Sequence, residues 1–186
     1  MKRLPTYKTL VSNFPNKHDV PTKQLLDKIG GEVRSHLDDG VNTCCIRLSY
    51  AMNHSGAPIE AVSGLYILKG AGSKPQARPP VQHNHNLYII RVLDMKRYLA
   101  SNYGGGRLIY SALKDGKSVI GVGAGTKGII LFQWNGPYAQ FGAFGHVDLI
   151  NFSEVSPSEL LPQCEDACYW QPTKMPMEAF LWQLVP

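Results

Sequence analysis

The stretch NTCCIRLSYAMNHSG, residues 42–56, decides the fold. Apolar side chains recur in it at helical spacing, as at Cys45, Leu48 and Met52, which predicts a helix from about Cys44 to Asn53. Cys44 would then lie in the first turn, where unpaired backbone N–H groups and the helix dipole lower the pKa of a thiol and favour the thiolate. This position makes Cys44 a candidate nucleophile, which we expect at the mouth of a cleft.

A thiolate nucleophile works with a base, and the candidate base is His146. It follows Gly145 in the segment AFGHVDLIN, residues 143–151, whose apolar and β-branched residues predict a strand. A cysteine on a helix, a later histidine on a strand and then a polar residue form the papain-like chain order, which predicts a cysteine hydrolase. The structural alternative is that Cys44 is a small buried cysteine and His146 a core histidine.

Two further segments predict helices, and one predicts a loop. Residues 21–31 carry apolar residues that end at two glycines, as a short helix does. Residues 87–106 predict a strand through Val92 and then a helix with Asp94 as its N-cap, ended by three glycines. The stretch 70–86 is dense in Gly, Pro and polar residues, which predicts a loop beside the site.

The second half of the chain predicts a sheet. Segments of strand length and β-branched composition at 118–122, 128–134 and 146–151 are separated by turn residues, which indicates adjacent antiparallel strands. The tail from residue 152 is rich in proline and is expected to wrap the surface, with 180–184 as an edge strand. The fold class is therefore α+β with a central antiparallel sheet.

Composition excludes several classes of protein. The 186 residues are 44% hydrophobic and 18% charged, which predicts one folded domain over residues 1–186. No apolar run is long enough for a membrane span, and the first twenty residues lack the apolar core of a signal peptide. The net charge of +5 favours an anionic partner, for which nucleic acid and a carboxylate-rich polymer are candidates, but no dense Lys/Arg stripe points to nucleic acid and the charge alone does not decide.

The four cysteines form two pairs: Cys44 with Cys45, and Cys164 with Cys168. Adjacent cysteines rarely bridge, whereas a C-x-x-x-C turn can reach the spacing of a disulfide, so Cys164 and Cys168 are the predicted bridge. A zinc site that adds His83 and His85 is the alternative. A disulfide implies an oxidising compartment, which fits a chain without a signal peptide only if a dedicated machine exports it.

Four motifs follow one another from about residue 40 to the C-terminus: N-x-C-x-x-R-x-S at 42–49, YIIRVLDMKRYL at 88–99, GHV at 145–147 and C-x-D-x-C at 164–168. Together they resemble the fourth family of type VI secretion amidase effectors, antibacterial enzymes related to the NlpC/P60 cysteine peptidases. The resemblance implies a papain-like fold of the NlpC/P60 type, with Cys44 as nucleophile, His146 as base and Asp166 as the residue that orients the base. Two departures are the second cysteine, Cys45, and a longer path from His146 to Asp166.

Asp148 competes with Asp166 for the third catalytic role. It lies two residues beyond His146 on the predicted strand and therefore on the same face. Residues so related stand about 6.6 Å apart, which is too far for a hydrogen bond unless both side chains lean together. We therefore favour Asp166, which a bridge between Cys164 and Cys168 would hold rigidly.

Four residues around the motif positions are assigned to substrate binding: Asn42, Arg47, Ser49 and Gly145. Structural alternatives exist for three of them. Arg47 can hold a substrate carboxylate or tie its helix to a neighbouring strand by an ion pair. Asn42 can cap the helix, and Ser49 can be a packing hydroxyl.

The resemblance also implies a substrate, partners and a place of action. The substrate would be the amide between D-glutamate and meso-diaminopimelate in peptidoglycan stem peptides, cut without a cofactor or metal. The chain would be made in the donor cytoplasm, exported by the type VI secretion apparatus and active in the recipient periplasm. A cognate immunity protein would plug the groove, with loop 70–86 as a contact. The alternatives are a non-enzymatic wall-binding module and a cysteine protease or transamidase that acts on proteins.

Overall fold

The computed structural model describes residues 2–71, 86–111, 122–138, 143–156, 159–165 and 177–185. Five helices lie in these ranges: α1 (Tyr7–Asn13), α2 (Thr22–Ile29), α3 (Gly31–His36), α4 (Cys44–His54) and α5 (Val92–Tyr103). Seven strands lie there as well: β1 (Ile67–Lys69), β2 (Leu87–Ile89), β3 (Arg107–Ser111), β4 (Lys127–Tyr138), β5 (Ala143–Ser156), β6 (Glu159–Cys164) and β7 (Met177–Gln183).

The larger of two sheets is antiparallel, with the strand order β3-β7-β4-β5-β6. Strands β4 and β5 pair directly, with Phe132 opposite His146, which confirms the predicted neighbours 128–134 and 146–151. The predicted strand at 118–122 lies outside the described residues except for Val122, which is in no strand. Strands β1 and β2 form a separate two-stranded sheet.

The C-terminal part of the chain differs from the prediction. Strand β7 is not an edge strand, since it lies between β3 and β4, and Phe180 pairs with Leu108 on one side and Leu131 on the other. The residues after 152 do not simply wrap the surface either, because β5 continues to Ser156 and β6 returns beside it. The alternation of apolar and polar residues along one segment does not indicate which strands pair with that segment on either side.

The helix predictions are confirmed in position, with one shift. Helix α2 ends at Gly30, whose φ of 62° suits glycine, and α4 spans the predicted residues. Helix α5 begins at Val92, so Asp94 lies in its first turn and is not its cap. The carboxylate of Asp94 accepts instead from the backbone N–H of Tyr66, at 3.2 Å. Within the described ranges, no helix combines the length and apolar character that a membrane span requires.

The two faces of the large sheet carry different apolar clusters. On one face, the predicted stripe of α4 (Cys45, Leu48 and Met52) packs in one cluster with Leu131 and Val147. The opposite face carries a second apolar cluster: Ile109, Ile130, Phe132, Trp134, Ile150, Phe152, Ala179 and Leu181. The start of α4 contacts the Val147 backbone of β5, which brings the two motif segments together.

Candidate active site

Cys44 is the first residue of α4, as predicted. Its backbone N–H donates to Oδ1 of the exposed Asn42 at 3.1 Å, so the Asn42 side chain caps the helix start. The side chain of Thr43, the residue before the helix, makes no such bond. The helix therefore holds the Cys44 sulfur at its positive end while Asn42 satisfies the first amide.

The Cys44 sulfur has donors around it. The Cys45 sulfur lies 3.9 Å away, and the His146 imidazole and the backbone N–H of Val147 also hydrogen-bond to Cys44. The bonds from Cys45, then His146 and Val147, lower the pKa of Cys44 well below that of an ordinary thiol, although burial opposes ionisation. These contacts favour a thiolate.

The backbone contact with Val147 follows from where β6 stops. The backbone N–H of Glu165 donates to the Leu149 carbonyl at 3.1 Å, so residue 149 turns its polar groups toward the β6 side of β5. Residues two apart present their backbone groups on the same edge, which directs the N–H of Val147 to that side as well. Among the residues that the structure describes, the pairs of β6 with β5 begin at Ile150, so β6 does not cover the backbone of Val147.

His146 completes a pair of opposite charge with Cys44. Its burial alone would lower the pKa of His146, but hydrogen bonds to Asp148 and Cys44 raise it to about 10. Since the same contact lowers the pKa of Cys44, the thiolate and imidazolium forms stabilise each other.

Asp148 lies beside the imidazole. Its Oδ2 is 3.5 Å from Nε2 of His146, at the outer limit of a hydrogen bond, and its Oδ1 accepts from the backbone N–H of Leu149 at 2.7 Å. The two side chains thus lean together along the strand face, which is the condition under which strand spacing lets Asp148 reach the imidazole. Asp148 is 0% exposed, so its charge acts on His146 with little screening by solvent.

Several predicted features lie outside the described residues. These include Asp166 and Cys168, so the orienting role of Asp166 and the bridge from Cys164 to Cys168 stay predictions. They also include His83 and His85, with most of the predicted loop at 70–86. Cys164 itself is the last residue of β6, opposite Ile150.

The expected open cleft at Cys44 is not seen. Cys44 and His146 are each 2% exposed, and Cys44 belongs to the apolar cluster on the helix side of the sheet. A buried charged pair is often no better for stability than apolar side chains of the same volume. Burial agrees with the structural alternative of a small core cysteine, whereas the hydrogen bond between Cys44 and His146 is the observation that favours chemistry here.

Arg47 and Ser49 are structural residues, which corrects their assignment to substrate binding. Both are 0% exposed. The Arg47 guanidinium donates to Thr43 Oγ1 at 2.9 Å, to the Val20 carbonyl at 2.9 Å and to the carbonyl of Pro15. The Ser49 hydroxyl accepts from the backbone N–H of Ile89 at 3.1 Å. Arg47 thus ties α4 to the segment between α1 and α2, using backbone carbonyls where an ion pair had been considered.

Replacement of Arg47 by methionine is expected to lower the free energy of unfolding by about 3 kcal/mol, because buried carbonyl groups lose their donors. Urea unfolding measures the change. The control is Lys23→Met, which removes an exposed lysine paired with Asp27 and should matter much less. Equal losses in the two variants would contradict the structural role of Arg47.

Gly145 has a structural role, and its assignment to substrate binding stays a prediction. A Cβ at this position would lie 2.3 Å from the Phe132 carbonyl oxygen and 2.9 Å from Cγ1 of Val92. Both distances are shorter than any ordinary contact. Glycine therefore lets β4 and the start of α5 approach the strand just before His146.

The sequence analysis missed Tyr7 and Glu165. The Tyr7 hydroxyl donates to Oε1 of Glu165 at 3.2 Å, and burial, with the charges of Glu165 and Asp148, raises the pKa of Tyr7. The backbone N–H of Tyr7 bonds the Val185 carbonyl at 3.0 Å. Helix α1 thus links the chain terminus to the end of β6 near the site. No motif marked Tyr7, since its partner is 158 residues away.

The fold and the site define a class: an α+β protein in which a thiol at a helix N-terminus meets an imidazole on a strand of an antiparallel sheet. Comparisons with known proteins then identify the family within this class. The chain matches the model of the type VI secretion system (T6SS) amidase effector protein 4 family, Tae4, over residues 41–182. Among curated proteins, none matches this chain.

Solved structures agree with the family model. Tae4 in the Tae4–Tai4 effector–immunity complex from Enterobacter cloacae is 26% identical, with a TM-score of 0.69, over 98% of this chain and 99% of that one. Tae4 in the corresponding complex from Salmonella Typhimurium is 28% identical, with a TM-score of 0.68, over 99% of this chain and 100% of that one. Tae4 from Salmonella typhimurium bound to the Enterobacter cloacae immunity protein Tai4 is 28% identical, with a TM-score of 0.66, over 98% of this chain and 99% of that one.

The chain belongs to the type VI secretion system amidase effector protein 4 family, because the family model matches well over half of its length. It is therefore an amidase effector, an enzyme that acts on peptidoglycan. This confirms the resemblance seen in the four sequence motifs, and it sets aside a wall-binding module without activity.

Proposed function

We propose that this effector hydrolyses the amide between the γ-carboxyl of D-glutamate and meso-diaminopimelate in peptidoglycan stem peptides, with Cys44 as nucleophile. The contact between Cys44 and His146, with their pKa values shifted in opposite directions, carries the proposal. A preformed thiolate needs no separate deprotonation before it attacks. The papain-like order of the two residues along the chain points to the same chemistry.

The reaction proceeds in two halves. The Cys44 thiolate forms a bond to the γ-carbonyl carbon, and the C–N bond breaks as the His146 imidazolium gives its proton to the departing amine. Water then attacks the thioester and loses a proton to neutral His146. The C–S bond breaks, which releases the D-glutamyl carboxylic acid and restores the thiolate and the imidazolium.

Two neighbouring groups bear on this mechanism. Asp148, 3.5 Å from Nε2 of His146, stabilises the imidazolium by its negative charge. The backbone N–H of Cys44, a natural donor to the oxyanion, is bonded to Asn42 Oδ1 at 3.1 Å. The oxyanion must therefore displace the Asn42 side chain, which is exposed and free to rotate away, before it can use that amide.

Substrate access requires a movement. Because Cys44 is 2% exposed, the groups that cover it must shift before a stem peptide can reach the sulfur. Contacts at catalytic groups in unliganded enzymes often differ from those in the complex with substrate. The net charge of +5 would attract a substrate rich in carboxylates without selecting among stem peptides.

The proposed partners and place of action follow the family. Tae4 from Enterobacter cloacae and from Salmonella Typhimurium was solved with the immunity protein Tai4. We propose that a cognate immunity protein likewise inhibits this chain. The type VI secretion apparatus would carry the effector from the donor cytoplasm into the recipient periplasm, where the peptidoglycan lies.

Incubation of purified sacculi with the protein, followed by mass spectrometry of the released fragments, tests the bond assignment. Each cut is expected to leave a free γ-carboxyl on D-glutamate and a free amine on meso-diaminopimelate. A sample whose thiols have been alkylated beforehand is the control and should release nothing. Cleavage at another bond, transfer to an amine in place of water, or cleavage of protein substrates alone would contradict the proposal.

A further inference from the structure

Two neighbouring thiols lie at the start of α4, and the mechanism uses only one of them. Cys44 and Cys45 are both free and both buried, with 3.9 Å between their sulfur atoms. Cys45 is 0% exposed and packs in the cluster between the helices and the sheet. If packing were the only role of Cys45, alanine or valine could fill the same space.

The surroundings distinguish the two sulfur atoms. Cys44 has the His146 imidazole and the Val147 N–H beside it, which stabilise negative charge. Cys45 has Asp94 nearby, a 5% exposed carboxylate on α5 that also lies 3.7 Å from the Arg97 guanidinium. Burial, the contact with Cys44 and the charge of Asp94 raise the pKa of Cys45. Of the two thiols, Cys45 therefore keeps its proton.

We propose that Cys45 is a positioning residue that donates an S–H hydrogen bond to the Cys44 thiolate and thereby holds it ionised. The inference rests on the proposed role of Cys44 as nucleophile. A thiolate buried among apolar side chains needs donors to replace those of water, and the 3.9 Å contact supplies one from the same turn of the helix. Asp94 contributes by keeping the proton on the donor.

Three substitutions separate the hydrogen bond from packing. Cys45→Ala and Cys45→Val both remove the donor, and the volumes of alanine and valine lie on either side of that of cysteine. Cys45→Ser retains a donor. The ultraviolet absorbance of the thiolate, measured against pH relative to the same protein with Cys44→Ala added, gives the midpoint of Cys44 ionisation without any substrate. The acid limb of kcat/KM on sacculi gives the corresponding midpoint in the working enzyme.

The alanine and valine variants are expected to move both midpoints to higher pH by about one unit, which is about a tenfold loss of thiolate below the midpoint. The midpoint of Cys45→Ser should stay close to the native one. At pH values above its own midpoint, each variant should approach native activity. Unchanged midpoints in the apolar variants, or an equal shift in Cys45→Ser, would overturn the inference. Because the absorbance requires no turnover, a failure of the proposed reaction on sacculi would leave this test intact.

Discussion

Cys44→Ala is expected to lower the rate of peptidoglycan hydrolysis by about 10⁴-fold or more, because the covalent intermediate forms on the Cys44 sulfur. Cys45 does not replace it, since its burial and the nearby Asp94 keep its thiol protonated. The rate of fragment release from sacculi measures the loss. Circular dichroism of the variant checks that the fold is intact.

His146→Gln is expected to cause a comparable loss, because both halves of the reaction pass a proton through this imidazole. The matched control is His18→Gln, which changes an exposed histidine outside the site and should leave the rate unchanged. Full activity in Cys44→Ala, or losses of equal size in the two histidine variants, would remove the Cys44 and His146 pair from the mechanism.

Asp148→Asn is expected to lower kcat/KM at neutral pH by about a hundredfold and to change the pH profile. In the native protein, the imidazolium persists until pH approaches about 10, the value to which its hydrogen bonds with Asp148 and Cys44 raise the pKa of His146. The imidazolium and thiolate pair is therefore lost as pH rises through that value. Without the Asp148 carboxylate the imidazolium loses support, so the alkaline limb should move to lower pH.

The companion variant is Asp166→Asn, because the sequence motifs favour Asp166 as the orienting residue. The alkaline limb of kcat/KM is measured for both variants on the same sacculi. A limb that stays in place in Asp148→Asn but moves in Asp166→Asn would assign the orienting role to Asp166. A limb that moves in Asp148→Asn supports the contact of 3.5 Å as the functional one.

Cys44, the proposed nucleophile, could be predicted from residues close to it in the sequence. The spacing of apolar residues after Asn42 sets a helix that begins at Cys44, and the capping side chain and the thiol are two residues apart. A glycine at position 30 ends α2 for a similarly local reason, since its φ is positive. Such features depend only on residues that are close in the sequence.

The partner of the nucleophile could be predicted in identity but not in geometry. His146 was identified by its place after Gly145 at the start of a strand and by the family motif. Whether it touches Cys44 depends on α4 meeting β5 at Val147, 103 residues from the thiol by number, and no local pattern encodes that distance.

By itself, the sequence determined the secondary structure around Cys44 and His146, the antiparallel neighbours β4 and β5, and membership of the amidase effector family. Only the tertiary structure decided that β7 lies inside the sheet, that Arg47 binds the carbonyls of Pro15 and Val20, and that Cys44 is buried. The physical reason is that helix and strand patterns come from each segment's own periodicity, whereas pairing order, burial and hydrogen-bond partners are set by segments distant along the chain.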